Sequence, residues 1–190
     1  MSPKSEEFDL QAIAKKLMVC VESTFMQMCN TSFIGDPQIT EKDIIEYQSR
    51  MRIFGLEKFN GPCYISVINL YLNDDQLKKD RPIGAVLLYI EESVATSLLK
   101  ATGQKGLDCE DFDSITNYTG EFCSSIVGQF KTELKSLGYS DIATSAPSNY
   151  QDDIPGGVNF KFSQQKFYEL SFVLKKEPAV IVDVTLAPSS

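Results

Sequence analysis

The stretch that decides the fold is residues 117–134, NYTGEFCSSIVGQFKTEL. Together with its flanks it predicts a long helix over 112–137, because large apolar side chains recur there at helical spacing. These side chains form one stripe that we expect to face the core: Ile115, Tyr118, Phe122, Ile126, Phe130, Leu134 and Leu137. The opposite side of the helix carries a polar row, whose members fall within about 60° of one another. The polar row consists of Asn117, Glu121, Ser124 and Gly128.

Gly128 is an unexpected member of the polar row. A glycine in the middle of a helix costs about 1 kcal/mol relative to alanine. Spacing alone leaves two interpretations open. The row is either an ordinary solvated face that tolerates a glycine, or a surface where the missing side chain lets the backbone of another molecule approach Glu121.

Composition limits the class of protein. The chain has 190 residues, which predicts one domain over 1–190 with a polar N-terminal arm (1–8) and a short tail (187–190). A net charge of −8 disfavours nucleic acid or an anionic membrane as the main partner. The absence of histidine excludes serine–histidine and cysteine–histidine nucleophile pairs, and any histidine-ligated metal site.

Cysteine usage and hydropathy indicate the compartment. The 5 cysteines are odd in number and show no CxxC spacing, which predicts buried free thiols in a reducing environment. The N-terminus, MSPKSEEFDL, does not resemble a signal peptide, and no apolar run reaches the roughly 20 residues that span a bilayer. We therefore expect a cytoplasmic protein.

The remaining pattern predicts an α+β fold: a mostly antiparallel sheet with two long helices, 9–30 and 112–137, packed on one face. The apolar run IGAVLLYI predicts a central strand. The segments FYELSFVL and AVIVDVTL, joined by a short link, predict antiparallel neighbours. Four further segments are predicted as a strand (45–53), a strand of the same C-terminal meander (158–162), a link (32–40) and a charged hairpin loop (73–82).

The run GEFCSSIVGQFKTELKSLGY (120–139), followed by DIATSAP (141–147), resembles the signature of the CheX/CheC family of bacterial chemotaxis phosphatases. That motif is Asp or Ser, three residues, Glu, two residues, Asn and, after a longer gap, Pro. On this chain it falls on Asn117, Glu121, Ser124 and Pro147. The flanking GxxKxxLxxLGY pattern, with Gly128 and Lys131, is similar too, and the resemblance covers about residues 12–186.

The resemblance implies the CheC-like fold and removal of the phosphoryl group from the aspartyl phosphate of a CheY-like response regulator. The regulator supplies the acyl phosphate and its own Mg²⁺, so no cofactor or metal of the chain's own is implied. Glu121 is implied to pair with a lysine in the regulator's pocket, and the position of Ser124 to hold the attacking water in line. Gly128, Lys131 and Pro147 are implied docking residues. A homodimer joined through sheet edges is implied as well.

Two positions depart from the motif: Asn117 stands at the Asp-or-Ser position, and Ser124 stands at the Asn position. Ser124 stands where the family has Asn, and its hydroxyl is shorter than an amide and offers one donor instead of two. Since one positioned donor can be worth about 10² to 10³ in rate, we expect weak or altered phosphatase activity. Asn117 lies one turn before Glu121 and could supply an amide instead. The alternative is a non-catalytic binding module of the same fold in chemotaxis or motility signalling.

Two other regions bear on the number and kind of sites. The N-terminal helix carries Glu22 with Phe25 three residues later, which predicts no second site, so one site per chain is expected. Acidic side chains crowd the segment 108–113 before the long helix. They could bind Mg²⁺ or Ca²⁺, but complementing the helix N-terminus is the simpler interpretation.

Overall fold

The computed structural model describes residues 8–161 and 163–189. Most of the predicted N-terminal arm, and the last residue of the tail, lie outside this part of the chain. The described helices are α1 Leu10–Cys29, α2 Gly55–Phe59, α3 Asp74–Lys78, α4 Glu92–Ala101 and α5 Phe112–Lys135. The described strands are β1 Gln38–Asp43, β2 Glu46–Tyr47, β3 Arg50–Met51, β4 Cys63–Tyr71, β5 Gly84–Glu91, β6 Ala143–Thr144, β7 Ser148–Gln151, β8 Val158–Asn159, β9 Lys166–Leu174 and β10 Glu177–Leu186.

The main sheet is antiparallel and has seven strands, in the order β1-β9-β10-β5-β4, with β6 and β7 both paired to the outer edge of β4. Strand β5 lies between β10 and β4, and all its side chains except the last are buried. The apolar run IGAVLLYI therefore predicted the central strand correctly. Strands β9 and β10 pair antiparallel across their short turn, as expected.

Both long helices pack on one face of this sheet, which confirms the predicted α+β architecture. Because successive strand residues point to opposite faces, alternate residues of β5 reach the helices. The shared core joins Val86 and Leu88 of β5 to Phe25 of α1 and to Phe122 and Phe130 of α5. The rings of Phe25 and Phe122 stack with centroids 4.8 Å apart. Burying one such side chain contributes about 1.5–3 kcal/mol, so this face holds α5 rigidly in place.

The other face of the sheet carries a second core. Leu87 and Tyr89 of β5 point to this side, where they meet Met51 and Val158. These last two residues belong to a small sheet of order β2-β3-β8, which with α2 covers this face. The polar row of α5 and the small sheet therefore lie on opposite sides of the main sheet.

Two of the local strand predictions are wrong. The strand predicted over 45–53 is a hairpin of β2 and β3, because Gln48 and Ser49 take φ values of 52° and 59°, as a tight two-residue turn requires. The meander strand predicted over 158–162 is reduced to β8, which pairs with β3 and not with β9; residue 162 lies outside the described residues. Arg50 holds β8 there by donating to the carbonyl oxygens of Gly156 and Gly157, both at 2.8 Å.

The two predicted connections also contain regular structure. The link predicted over 32–40 runs into β1, whose polar sequence QITEKD forms a strand because its backbone pairs with β9. The charged loop predicted over 73–82 contains α3, which Asn73 caps by accepting from the backbone N–H of Gln76 at 2.9 Å. In both cases backbone partners decide the structure, and residue composition does not reveal them.

Candidate functional site

Helix α5 is fixed at its start by a side-chain cap. The carboxylate of Asp111 accepts from the backbone N–H of Ser114 at 2.9 Å, and Asp113 lies in the first turn. The Oδ1 of Asp108 accepts a hydrogen bond from the backbone N–H of Glu110 at 3.0 Å. These contacts are those expected if the acidic segment complements the helix N-terminus. The helix ends at Lys135, and Gly138 then turns the chain with φ 91°.

The polar row of α5 is exposed to solvent. Asn117, Glu121, Ser124 and Gly128 are all exposed, whereas the apolar stripe on the other side is buried except for Leu137, which is half-buried. Apart from the two neighbouring residues and the helix's own backbone, no described atom lies within 4 Å of a Cβ built on Gly128. The row therefore offers a carboxylate, a hydroxyl and an amide beside bare backbone. An approaching molecule meets no side chain at Gly128.

Two predicted docking residues lie at the margins of the row. Lys131 is half-buried and lines a shallow cleft with Lys135 of α5 and Asp74 of α3. Pro147 is half-buried and directly precedes β7, the short strand that α5 packs against. Lys131 therefore lines a cleft of mixed charge at one end of the row. Pro147 leads the chain into the strand that flanks the other end.

Helix α5 also makes a contact with β7 that was not predicted from the sequence. A Cβ built on Gly120 would lie 2.7 Å from Nδ2 and 2.9 Å from Oδ1 of Asn149. The carboxamide of Asn149 thus occupies the space that a side chain at position 120 would fill. The signal that could have revealed this contact is a second glycine in the helix interior, where glycine is costly.

Cys123, which neighbours Ser124 in sequence, takes no part in the exposed row. It is fully buried, and its Sγ donates to the backbone carbonyl of Ser66 on β4. Burial raises the pKa of the Cys123 thiol to about 12, so the thiol is protonated at neutral pH and a poor nucleophile. All five cysteines are free, and Cys109 is the one that is not fully buried.

The N-terminal helix presents no comparable row around Glu22. The residue three positions later, Phe25, is fully buried against Phe122, and Glu22 itself is half-buried. Across residues 8–161 and 163–189, no helix is long and apolar enough to cross a bilayer.

Comparison with known proteins gives a fold but no sequence family. No family model matches the chain, and no curated protein matches it in sequence. Solved structures do match it over almost its whole length. The chemotaxis protein CheX from Desulfovibrio desulfuricans is 15% identical, with 92% of this chain and 99% of that one covered and a TM-score of 0.60.

Two further structures match equally well. The CheX chain of a CheX–CheY–BeF3–Mg²⁺ complex from Borrelia burgdorferi is 10% identical, with coverage of 93% and 98% and a TM-score of 0.60. FliY from Thermotoga maritima is 14% identical, with coverage of 98% and 93% and a TM-score of 0.60. The chain is therefore a domain with the CheX/CheC-like fold, which confirms the fold implied by the resemblance.

Proposed function

We propose that the polar row of α5 docks a phosphorylated CheY-like receiver domain and assists hydrolysis of its aspartyl phosphate. The observation that carries this proposal is the exposed row itself, in which Glu121 and Ser124 stand beside open backbone at Gly128. A protein of this fold from Borrelia burgdorferi forms a complex with CheY, BeF3 and Mg²⁺. We extend that type of partner to the present chain.

Each residue of the row has a role that its chemistry allows. The carboxylate of Glu121 pairs with a cation of the receiver and orients the two proteins. The hydroxyl of Ser124 forms a hydrogen bond with a water molecule. The oxygen of this water attacks the phosphorus while the bond from phosphorus to the acyl oxygen breaks. The products are inorganic phosphate, the receiver's free aspartate carboxylate and a proton released to solvent. The receiver supplies Mg²⁺, which screens the charge of the phosphoryl group.

Asn117 and the two docking residues at the margins of the row also contribute to the interaction with the receiver. Asn117 lies one turn before Glu121 and offers an amide on the same exposed face. Lys131 and Pro147 contact the receiver at the two ends of the row. Hydrolysis is slow compared with a site that has an amide at position 124, because a serine hydroxyl reaches less far and has one donor.

The second candidate is a non-catalytic module in chemotaxis or motility signalling. Ser124 is the observation that favours it, since the group best suited to orient water is missing from that position. In this case the row still binds the receiver, and the phosphate keeps its intrinsic lifetime.

We further propose that the chain acts in the cytoplasm as a homodimer. Five free thiols suit a reducing compartment. The sheet has two open edges, formed by β1 on one side and by β6 and β7 on the other. Glu41, Lys42 and Asp43 are exposed on β1, and charges of this kind protect an edge against pairing. The edge that carries β6 and β7 is thus the better candidate for an interface.

The test uses CheY-like receiver domains encoded in the same genome, phosphorylated with acetyl phosphate. The decay of phosphoryl-receiver is followed with and without the protein, and binding is measured by titration calorimetry with receiver in BeF3 and Mg²⁺. Faster decay supports hydrolysis. Binding without faster decay supports the non-catalytic module. No binding to any receiver contradicts both.

A further inference from the structure

The carboxamide of Asn149 lies against α5 at the edge of the polar row. Asn149 pairs with Ser66 across β7 and β4. Its side chain shares the helix-facing side of the sheet with Ser66, which is fully buried between Tyr64 and Ile68. The Sγ of Cys123 donates a hydrogen bond to the backbone carbonyl of Ser66 on β4. Helix α5 packs against both β4 and β7 at this point. Gly120 is the point where helix and carboxamide touch.

This carboxamide has no hydrogen-bond partner among the described residues. Oδ1 of Asn149 is buried and unpaired, as are Oγ of Ser66 and Oγ1 of Thr116, which precedes Gly120 by one turn. Leaving a buried polar group unpaired costs about 1–3 kcal/mol. Buried polar groups without partners are rare, and those that occur call for an explanation such as a bound water or a functional role.

The position of Gly120 relates this carboxamide to the row. Residues three and four apart are neighbours on a helix surface. Gly120 is three residues after Asn117, four before Ser124, and adjacent in sequence to Glu121. Asn149 therefore flanks the row on the side of Asn117 and Ser124. A larger residue than glycine at position 120 would displace its carboxamide.

We propose that Asn149 is the catalytic carboxamide of this site, supplied from β7 in place of the amide that position 124 lacks. This inference rests on the proposed phosphatase function. In the receiver complex the side chain turns from Gly120 toward the row, and this rotation breaks no hydrogen bond described here. Oδ1 accepts from the attacking water and Nδ2 donates to a phosphoryl oxygen. Water oxygen bonds to phosphorus, the acyl P–O bond breaks, and phosphate, carboxylate and a proton leave.

The test is a double-mutant comparison on the full chain with receiver phosphorylated by acetyl phosphate. Asn149→Ala is expected to reduce the acceleration of decay roughly 10- to 100-fold, which is at or below the lower end of the range of about 10² to 10³ for a lost positioned donor. Its dissociation constant for receiver in BeF3 and Mg²⁺ should change less than about 3-fold, since the loss falls on the transition state. Ser148→Ala, at an exposed position on the same strand, is the matched control and should keep the wild-type rate.

Rescue separates catalysis from a structural role. If Asn149 replaces a missing amide, the double variant Ser124→Asn/Asn149→Ala regains at least the wild-type rate, because position 124 again holds a carboxamide.

Three results would overturn the inference. One is a wild-type rate in Asn149→Ala. The second is a slow Asn149→Ala variant whose rate Ser124→Asn does not restore. The third is a loss of rate in Asn149→Ala that is matched by an equal loss of receiver binding. The second and third results would indicate a structural or docking role for Asn149. These outcomes leave the proposed phosphatase standing. A wild-type protein that binds the receiver without accelerating decay instead contradicts the phosphatase and this inference together.

Discussion

Lys58 of α2 donates to both carboxylate oxygens of Asp183 on β10, with Nζ–O distances of 2.8 and 3.0 Å. Its Nζ also lies 2.5 Å from Oε2 of Glu169 on β9 and 4.8 Å from the centre of the Tyr89 ring. Burial lowers the pKa of Lys58, but the charges of Asp183 and Glu169 outweigh burial and raise the pKa above its ordinary value. This cluster attaches α2 to the sheet face opposite the polar row.

Lys58→Met should destabilise the fold by about 3–5 kcal/mol, because it leaves the buried Asp183 without a cation and Glu169 with Lys42 alone. Only 10% of the Lys58 side chain and 4% of the Asp183 side chain is exposed. Lys42→Met is the matched control: Lys42 also pairs with Glu169, but it is 44% exposed, so its loss should cost under about 1 kcal/mol. Urea unfolding measures both changes. Equal small losses in the two variants would show that the buried pair contributes little.

Stability should fall steeply at alkaline pH. Burial raises the pKa of Cys63 and Cys123 from an ordinary 9.0 to about 12. Each thiol ionises more readily in the unfolded chain, so its contribution is complete below pH 9 and is lost as pH rises toward 12. Ionisation of the two thiols in the unfolded chain should therefore lower the free energy of unfolding at pH 10 by about 3 kcal/mol relative to pH 8, or about 1.4 kcal/mol for each thiol.

Urea unfolding at pH 8 and pH 10 tests this expectation. The double variant Cys63→Ala/Cys123→Ala should be less stable at pH 8 but should lose less stability between the two pH values. A wild-type protein whose unfolding free energy is the same at both pH values would contradict the assignment.

Helix α5 and its polar row could be predicted because apolar and polar residues each recur there with the helical period. Strand β5 could be predicted because it is an unbroken apolar run of strand length. The small sheet could not be predicted, since it depends on tight turns such as that at Gln48 and on the carbonyl contacts of Arg50. Asp183 gave one hint of the buried cluster, as a charge inside an apolar run. Its partner Lys58 is distant in sequence and has no periodic signal.

Gly128→Leu should leave the fold intact and reduce receiver binding more than 10-fold. Outside the two neighbouring residues and the helix's own backbone, no described atom lies within 4 Å of the new Cβ, so we expect the leucine to project from the helix into the contact surface. Gln11→Leu, which adds the same side chain at an exposed position of α1, is the control and should bind normally. Titration calorimetry gives the affinities and thermal unfolding checks the fold. Normal binding by Gly128→Leu would mean that the row is not a docking face.

The homodimer prediction is checked by light scattering at micromolar concentration, where a mass near twice 21.2 kDa is expected. If β7 forms the interface, Gln151→Pro should shift the mass toward the monomer, because proline removes a backbone donor at the sheet edge. The corresponding change in β1, Glu41→Pro, whose N–H also points to the open edge, should affect the dimer less. A wild-type monomer would contradict the prediction outright.

Glu121 and Ser124 decide between a phosphatase and a binding module. Both side chains are exposed, so their replacement should change stability by less than about 0.5 kcal/mol. In a phosphatase, Glu121→Ala should abolish the acceleration of receiver dephosphorylation, because the carboxylate that orients the receiver is gone. Ser124→Asn should raise the acceleration, since a carboxamide at that position reaches further and has two donors.

The decay of phosphoryl-receiver, measured beside calorimetric binding, distinguishes the outcomes for these two variants. A faster rate in Ser124→Asn than in wild type identifies Ser124 as a weakened catalytic position, and the gain can reach about 10² to 10³. If the wild type and both variants leave the phosphate lifetime unchanged while the wild type still binds the receiver, hydrolysis is not the role of this row. Glu121 would then serve only to hold the receiver, and Glu121→Ala should weaken binding without any change in rate.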